Sequence, residues 1–225
     1  MLSPKQFVEG FVRIMEPQQD PSIAAGMSKY MKNQFSFLGI QSVKRRKLMQ
    51  HYISEQIYPT EMWQSITDLL WELDAREYQY TAIDWMIQYR TLMAPDDIHS
   101  FIQWVQRKSW WDTVDGLATQ LVGQYMYTFR HIGVESMADQ WILSQNMWVV
   151  RTALLYQLKF KEETDQKRLF LYGDACLNSE EFFIQKALGW ALREFAKTDP
   201  EAVRLYVMSR KLPALTRREA MKHLS

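Results

Sequence analysis

An apolar stripe at helical spacing within residues 109–124 constrains the fold of this chain more than any other feature. Its members are separated by four, three, one and three positions, as on one face of an α-helix: Trp110, Val114, Leu117, Ala118 and Leu121. Only eight glycines and seven prolines occur in 225 residues, which is little turn punctuation for an all-β chain. The sequence therefore predicts an all-α fold in which Trp110 belongs to the core.

Further helical segments recur along the whole chain, separated by short breaks. Breaks are predicted at Pro17, Gly39, Pro59, Pro95, Gly133, Asn178 and Pro213. The segments are predicted at 4–16, 20–36, 42–54, 60–73, 76–90, 95–107, 109–124, 131–143, 146–160, 165–176, 180–197, 199–208 and 214–224.

Similar residues recur at offsets that fit a helical-pair repeat. The offsets are 31, 37 and 35 residues, from Asp84 to Asp115, from Trp111 to Trp148 and from Arg151 to Lys186. The spacing predicts an α-solenoid of HEAT-like helical pairs with a concave surface. No linker interrupts the pattern, so we expect a single domain over residues 1–225.

Several classes of protein are disfavoured by composition. No apolar run reaches 18 residues and the first residues lack the apolar stretch of a signal peptide, so we expect a cytoplasmic protein without a membrane span. Cys176 is the single cysteine, which excludes an internal disulfide. The four histidines show no metal-ligand spacing, so no metal or other cofactor is expected.

Charge is strongly segregated along the chain although the net charge is only +1. Residues 27–51 carry six lysines and arginines without an acid, and residues 52–100 carry nine acids against Arg76 and Arg90. Residues 204–225 carry six lysines and arginines against Glu219 alone. The two basic regions are suited to phosphate contacts, although solvated helix faces would have the same composition.

Two later segments carry residues suited to a binding site. Trp111 and Asp115 are four positions apart, so an aromatic plane and a carboxylate project from one face of the helix. In 180–197 the core stripe leaves an aromatic and basic second face: Phe183, Lys186, Trp190, Arg193 and Lys197.

Arg151 is the only charged residue in the apolar run 147–156 and therefore requires an anion. Two partners are open at this point. One is Asp115 of the preceding helical pair, as in the ladders of repeat proteins, and the other is a phosphate group.

Four ordered blocks together resemble the AlkD-like DNA alkylation repair enzymes, which are HEAT-like-repeat DNA glycosylases. The resemblance spans essentially the whole chain. The blocks are residues 30–40, 109–115 and 148–153, and 186–194 with Arg217-Arg218-Glu219-Ala220 behind them.

This resemblance implies that the chain excises cationic N3- and N7-alkylated purines from double-stranded DNA. It implies that Asp115 is catalytic, that Trp111 and Trp190 contact the deoxyribose and backbone of the lesion, and that Arg151 binds a phosphate. Tyr30 is expected to face the lesion. Lys186 and Arg193 are expected to add DNA contacts from the basic face, within a concave basic groove.

The chemistry of such a substrate agrees with these residue types. An alkylated N3 or N7 makes the purine a cation that leaves as a neutral base, so one carboxylate suffices where ordinary glycosidases need two. A monomer without an obligate protein partner is expected. The alternative function is a non-catalytic HEAT-repeat scaffold that binds DNA or protein.

Overall fold

A computed structural model describes residues 2–57 and 60–224, and every regular element in these residues is helical. The α-helices are α1 (Pro4–Met15), α2 (Pro21–Tyr30), α3 (Ser42–Ser54), α4 (Trp63–Glu72), α5 (Arg76–Gln88), α6 (Ile98–Gln106), α7 (Trp111–Gly116), α8 (Gly123–Phe129), α9 (Ser136–Trp141), α10 (Met147–Leu155), α11 (Gln166–Ala175), α12 (Phe182–Phe195), α13 (Pro200–Ser209) and α14 (Ala214–Ala220). A π-helical segment (Leu117–Val122) joins α7 to α8. The predicted all-α fold is confirmed.

Side-chain caps fix the starts of several helices where the sequence offers an oxygen acceptor. Each cap accepts a hydrogen bond from a backbone N–H of the first turn, which otherwise lacks a partner: Ser3, Asp20, Asn146, Asp165 and Asp199. Proline follows three of these caps at the first helical position, where its missing N–H has no consequence.

The segment predicted at 20–36 is shorter in the structure, because α2 ends at Tyr30. Lys32 and Asn33 follow with φ values of 56° and 57°, in the left-handed region that an α-helix cannot include. The break predicted at Pro59 lies outside the described residues.

The segment predicted at 109–124 differs from the structure at both ends. Its helix begins at Trp111 and continues through the π-helical segment to Phe129. Trp110 precedes the helix in an extended conformation and is only half-buried, so the prediction that it belongs to the core was wrong. The rest of the stripe is fully buried, as predicted: Val114, Leu117, Ala118 and Leu121.

The chain forms two compact units, Met1–Met93 and Ala94–Ser225. In the first unit α1 packs on α3 and α4, and α4 packs on α5. The centre is filled by large apolar side chains: Phe7, Phe11, Ile66, Leu70, Trp71 and Trp85. The buried Glu77 carboxylate accepts hydrogen bonds from the backbone N–H groups of 38–40 and so anchors the loop between α2 and α3.

In the second unit α10 packs against α12, and α12 packs against α14. Its core contains Phe101, Trp104, Leu117, Leu121, Leu188 and Val203. The stripe predicted for α12 is buried: Ile184, Leu188, Ala191 and Phe195. On the second face of α12 only Lys197 is exposed, and the other members are half-buried: Phe183, Lys186, Trp190 and Arg193. Within the described residues, no helix combines the length and apolar character needed to cross a membrane.

Candidate active site

Asp115 lies near the end of α7, one turn after Trp111 and two residues before the start of the π-helical segment. Its side chain is 17% exposed, so the carboxylate is nearly buried but reaches the surface. Thr119 lies in the π-helical segment, and its hydroxyl donates a hydrogen bond to the backbone carbonyl of Asp115 at 2.7 Å. π-Helical segments within α-helices are frequent at functional sites.

Arg151 of α10 binds both carboxylate oxygens of Asp115. Its Nε donates to Oδ1 at 2.7 Å and its Nη2 donates to Oδ2 at 2.9 Å, which is the parallel bidentate arrangement. The Nη1 atom donates to the backbone carbonyl of Phe183 in α12. Three helices therefore meet at one guanidinium, and of the two partners left open by the sequence the structure provides Asp115.

Burial raises the pKa of the Asp115 carboxyl above its ordinary value, and the nearby Asp112 adds to this rise. The hydrogen bonds and positive charge of Arg151 act in the opposite direction. The guanidinium thus favours the ionised form of the carboxylate, whereas burial favours the neutral form. An ionised carboxylate with limited hydration is the state needed to stabilise a developing positive charge.

An aromatic cluster of Trp110, Trp148 and Phe183 packs beside this ion pair. The Phe183 ring lies 5.1 Å from Trp110 and 5.0 Å from Trp148, between ring centroids. These ring contacts hold Phe183 in place, and the backbone carbonyl of Phe183 accepts the hydrogen bond from Arg151. Among the described residues, no hydrogen-bond acceptor is provided for the buried Nε1 atom of Trp110.

Trp111 and Trp190, the two tryptophans predicted to contact substrate, are both half-buried. Six others are buried, in agreement with their predicted core or interface positions: Trp63, Trp71, Trp85, Trp104, Trp141 and Trp148. Three indoles are therefore partly accessible, the two that were predicted to contact substrate and that of Trp110. Trp111 shares α7 with Asp115, whereas Trp190 comes from α12.

Lys186 and Arg193, predicted to contact DNA, both bind Glu219 of α14. Lys186 Nζ donates to Oε1 at 2.9 Å and Arg193 Nη1 donates to Oε2 at 2.6 Å. Sequence reasoning did not foresee this partner, nor the carbonyl of Phe183 as a partner of Arg151. The available signal for the first was that Glu219 is the sole acid of its basic region.

Tyr30 lies in the first unit, at the end of α2, and is 69% exposed. It lines an apolar groove of about 440 Å³ together with Met27, Phe37 and Tyr80. The remaining site residues lie in the second unit. The expectation that Tyr30 faces the lesion stays a prediction.

The basic region 27–51 is partly neutralised within the first unit. Asp84 accepts from Arg45 Nη2 at 2.8 Å and from Arg46 Nε at 3.0 Å. Arg45 is buried, whereas the Arg46 side chain is 58% exposed. Two of the six cations predicted for phosphate contacts, Arg45 and Arg46, are therefore already paired with a carboxylate of the protein.

No group of three or more His, Cys, Asp or Glu side chains that could hold a metal ion occurs in residues 2–57 and 60–224. Cys176 is buried, and burial raises the pKa of its thiol to about 11. A neutral buried thiol is a poor nucleophile.

A family model and a solved structure both match this chain. The sequence model for the DNA alkylation repair enzyme family matches residues 13–224. A solved structure, described as a predicted DNA alkylation repair enzyme from Enterococcus faecalis, is similar with a TM-score of 0.85 and 34% sequence identity. The match covers 92% of this chain and 97% of that one. No protein of curated function matches significantly.

Proposed function

Because the chain belongs to the DNA alkylation repair enzyme family, we propose that it is a monofunctional DNA glycosylase acting on duplex DNA. Its substrates would be purines alkylated at N3 or N7, such as 3-methyladenine and 7-methylguanine. The proposal is carried by one observation, the partly exposed Asp115 carboxylate whose two oxygens are both bound by Arg151.

The proposed reaction replaces the bond between C1′ and the purine nitrogen by a bond from C1′ to water oxygen. The alkylated purine is already a cation, so it takes the bonding electron pair and leaves neutral without a general acid. Positive charge moves onto the sugar as the bond lengthens. Asp115 would stabilise that charge, orient the attacking water and receive its proton.

Trp111 and Trp190 would contact the sugar and backbone of the lesion. An indole face carries negative electrostatic potential, so it attracts a developing cation and also packs against apolar deoxyribose. The half-buried state of both side chains supports this role, since each has a surface to offer. Lys186 and Arg193 lie four positions before Trp190 and three after it, where they would contact flanking phosphates.

We further propose that the helices of the second unit pair as HEAT-like repeats. Arginine–aspartate pairs between helices support this arrangement. The paired residues are 36, 29 and 36 positions apart: Asp115 with Arg151, Asp139 with Arg168, and Asp174 with Arg210. A basic groove along such repeats, action as a monomer and a cytoplasmic location remain predictions.

The direct test is release of free base from duplex DNA containing N7-methylguanine. We expect release by the wild-type chain and its loss in Asp115→Asn. A wild-type chain that binds this duplex without releasing base would favour the scaffold alternative, in which the repeats bind DNA without catalysis.

A further inference from the structure

Glu219 of α14 is fixed against α12 by close contact of the two helices. A Cβ atom at Gly189 would lie 2.5 Å from the Glu219 Cβ and 3.1 Å from the Thr216 carbonyl oxygen, so only glycine permits this approach. The hydroxyl of Thr216 donates to the carbonyl of Gln185 at 3.1 Å. The position of Glu219 is therefore set by backbone packing and does not depend on its own charge.

The carboxylate of Glu219 lies between two cations on the face of α12 that carries Trp190. Lys186 Nζ is 2.9 Å from Oε1 and Arg193 Nη1 is 2.6 Å from Oε2. The side chains of Lys186 and Arg193 are 38% and 21% exposed, and that of Glu219 is 15% exposed. Both cations thus reach solvent while each already holds one carboxylate oxygen.

The two cations also keep Glu219 charged under all ordinary conditions. They lower the pKa of its carboxyl from 4.5 to about 2. A carboxylate held by a lysine and an arginine satisfies the same donors that a phosphate oxygen would take. The cluster carries one net positive charge in place of two.

We propose that Glu219 competes with DNA phosphate for Lys186 and Arg193 and so weakens the binding of this face to duplex DNA. The inference rests on the proposed function. A phosphate that approaches these cations meets a fixed anion beside them, and it must either share or displace that anion. The carboxylate therefore reduces affinity for any duplex, and an undamaged duplex isolates this effect because it offers no lesion to the site.

The test is Glu219→Gln, which keeps the side-chain shape and one oxygen acceptor but removes the charge. Affinity for an undamaged duplex should rise on the order of 3- to 10-fold near 0.1 M salt. The slope of log K against log salt concentration should become steeper by about one, as one phosphate contact is recovered. Fluorescence anisotropy over a salt series measures both.

Glu9→Gln is the matched control. Glu9 lies in the first unit, and its carboxylate is 3.9 Å from the ammonium group of Lys5, whose side chain is 79% exposed. The substitution changes the net charge of the chain by the same amount, yet it should leave the salt slope unchanged. An equal gain in duplex affinity in both variants would show that only the net charge matters, and it would overturn the proposal.

Unchanged or weaker binding by Glu219→Gln would also overturn it, since Glu219 would then only orient the two cations. A second measurement compares the effect of Lys186→Gln on the salt slope in two backgrounds. Lys186→Gln should reduce the salt slope by much less than one in the wild-type background and by about one in the Glu219→Gln background. Equal reductions in the two backgrounds would contradict competition by Glu219.

The outcome is distinguishable from failure of the proposed function. A wild-type chain that releases methylated base but shows no effect of Glu219→Gln refutes this inference alone. A chain that binds duplex without releasing base refutes the glycosylase activity and leaves the salt-slope comparison valid. A chain that binds no duplex refutes both.

Discussion

Asp115 and Arg151 lie 36 positions apart in the chain and are joined by two parallel hydrogen bonds, at 2.7 and 2.9 Å. The Arg151 side chain is 6% exposed and that of Asp115 is 17% exposed, so the carboxylate is the more accessible partner. The pair thus presents an anion to the surface while its counterion remains inside. This asymmetry supports the proposed roles, in which Asp115 contacts substrate and Arg151 positions it.

Asp115→Asn is expected to lower the rate of base excision on the order of 100-fold or more, because one preorganised electrostatic group is removed from the reaction. Affinity for DNA should change by no more than a few-fold, since the carboxylate acts chiefly when charge develops on the sugar. Single-turnover excision and equilibrium binding of the same duplex measure the two effects. Asp112→Asn is the control, and parallel losses of binding and excision in Asp115→Asn would make Asp115 structural.

Arg151→Ala is expected to lower the free energy of unfolding by about 3–5 kcal/mol, because it leaves a nearly buried carboxylate without its partner. The control Arg46→Ala removes a largely exposed partner of Asp84 and should cost about 0–1 kcal/mol. Urea denaturation measures both. Unchanged stability in Arg151→Ala, together with a salt slope reduced by about one, would instead identify a phosphate contact.

The pH dependence of excision provides a test of the same pair. Only ionised Asp115 is active, so excision should be lost as the pH falls through its raised pKa. Arg151→Lys keeps the charge but not the parallel hydrogen bonds, and it should move this acidic limb to higher pH. Single-turnover rates at saturating protein, corrected for spontaneous depurination, define the limb. Coincident limbs for both proteins would show that Arg151 does not control the ionisation of Asp115.

Substrate charge is expected to determine which bases are released. A cationic N7-alkylguanine should be excised readily, whereas neutral uracil or 1,N6-ethenoadenine should not, because the proposed site supplies no acid to protonate a leaving base. Single-turnover rates on matched duplexes separate the bond-breaking step from binding and product release. Efficient release of uracil would eliminate the proposed one-carboxylate mechanism.

Glu219 is expected to contribute stability that depends on pH in a defined window. Its folded-state pKa of about 2 lies below the ordinary 4.5, so the contribution is present above 4.5 and is lost as the pH falls toward 2. The difference in unfolding free energy between wild type and Glu219→Gln should therefore shrink over this range. Urea titrations from pH 7 downward measure it, and a difference that stays constant to pH 2.5 would contradict the assignment.

Helical periodicity was sufficient to predict the all-α fold and most buried faces. The stripes of 109–124 and 180–197 became core with one exception, since apolar spacing records which side of a helix avoids water. Trp110 was the exception because it lies before the helix, where the extended backbone removes it from the helical face. Nothing in the periodicity marks that boundary.

The sequence by itself indicated which residue types could form a site: a carboxylate, two tryptophans and several cations. Only the tertiary structure decided which charges meet. The sequence left two possible anionic partners for Arg151, Asp115 and a phosphate. The packing of α10 beside α7 places Asp115 against the guanidinium. Lys186 and Arg193 form ion pairs with Glu219 because Gly189 allows α14 to approach α12 closely. Ion pairing depends on a few ångströms between helices distant in sequence, and the pattern of a single chain does not specify such distances.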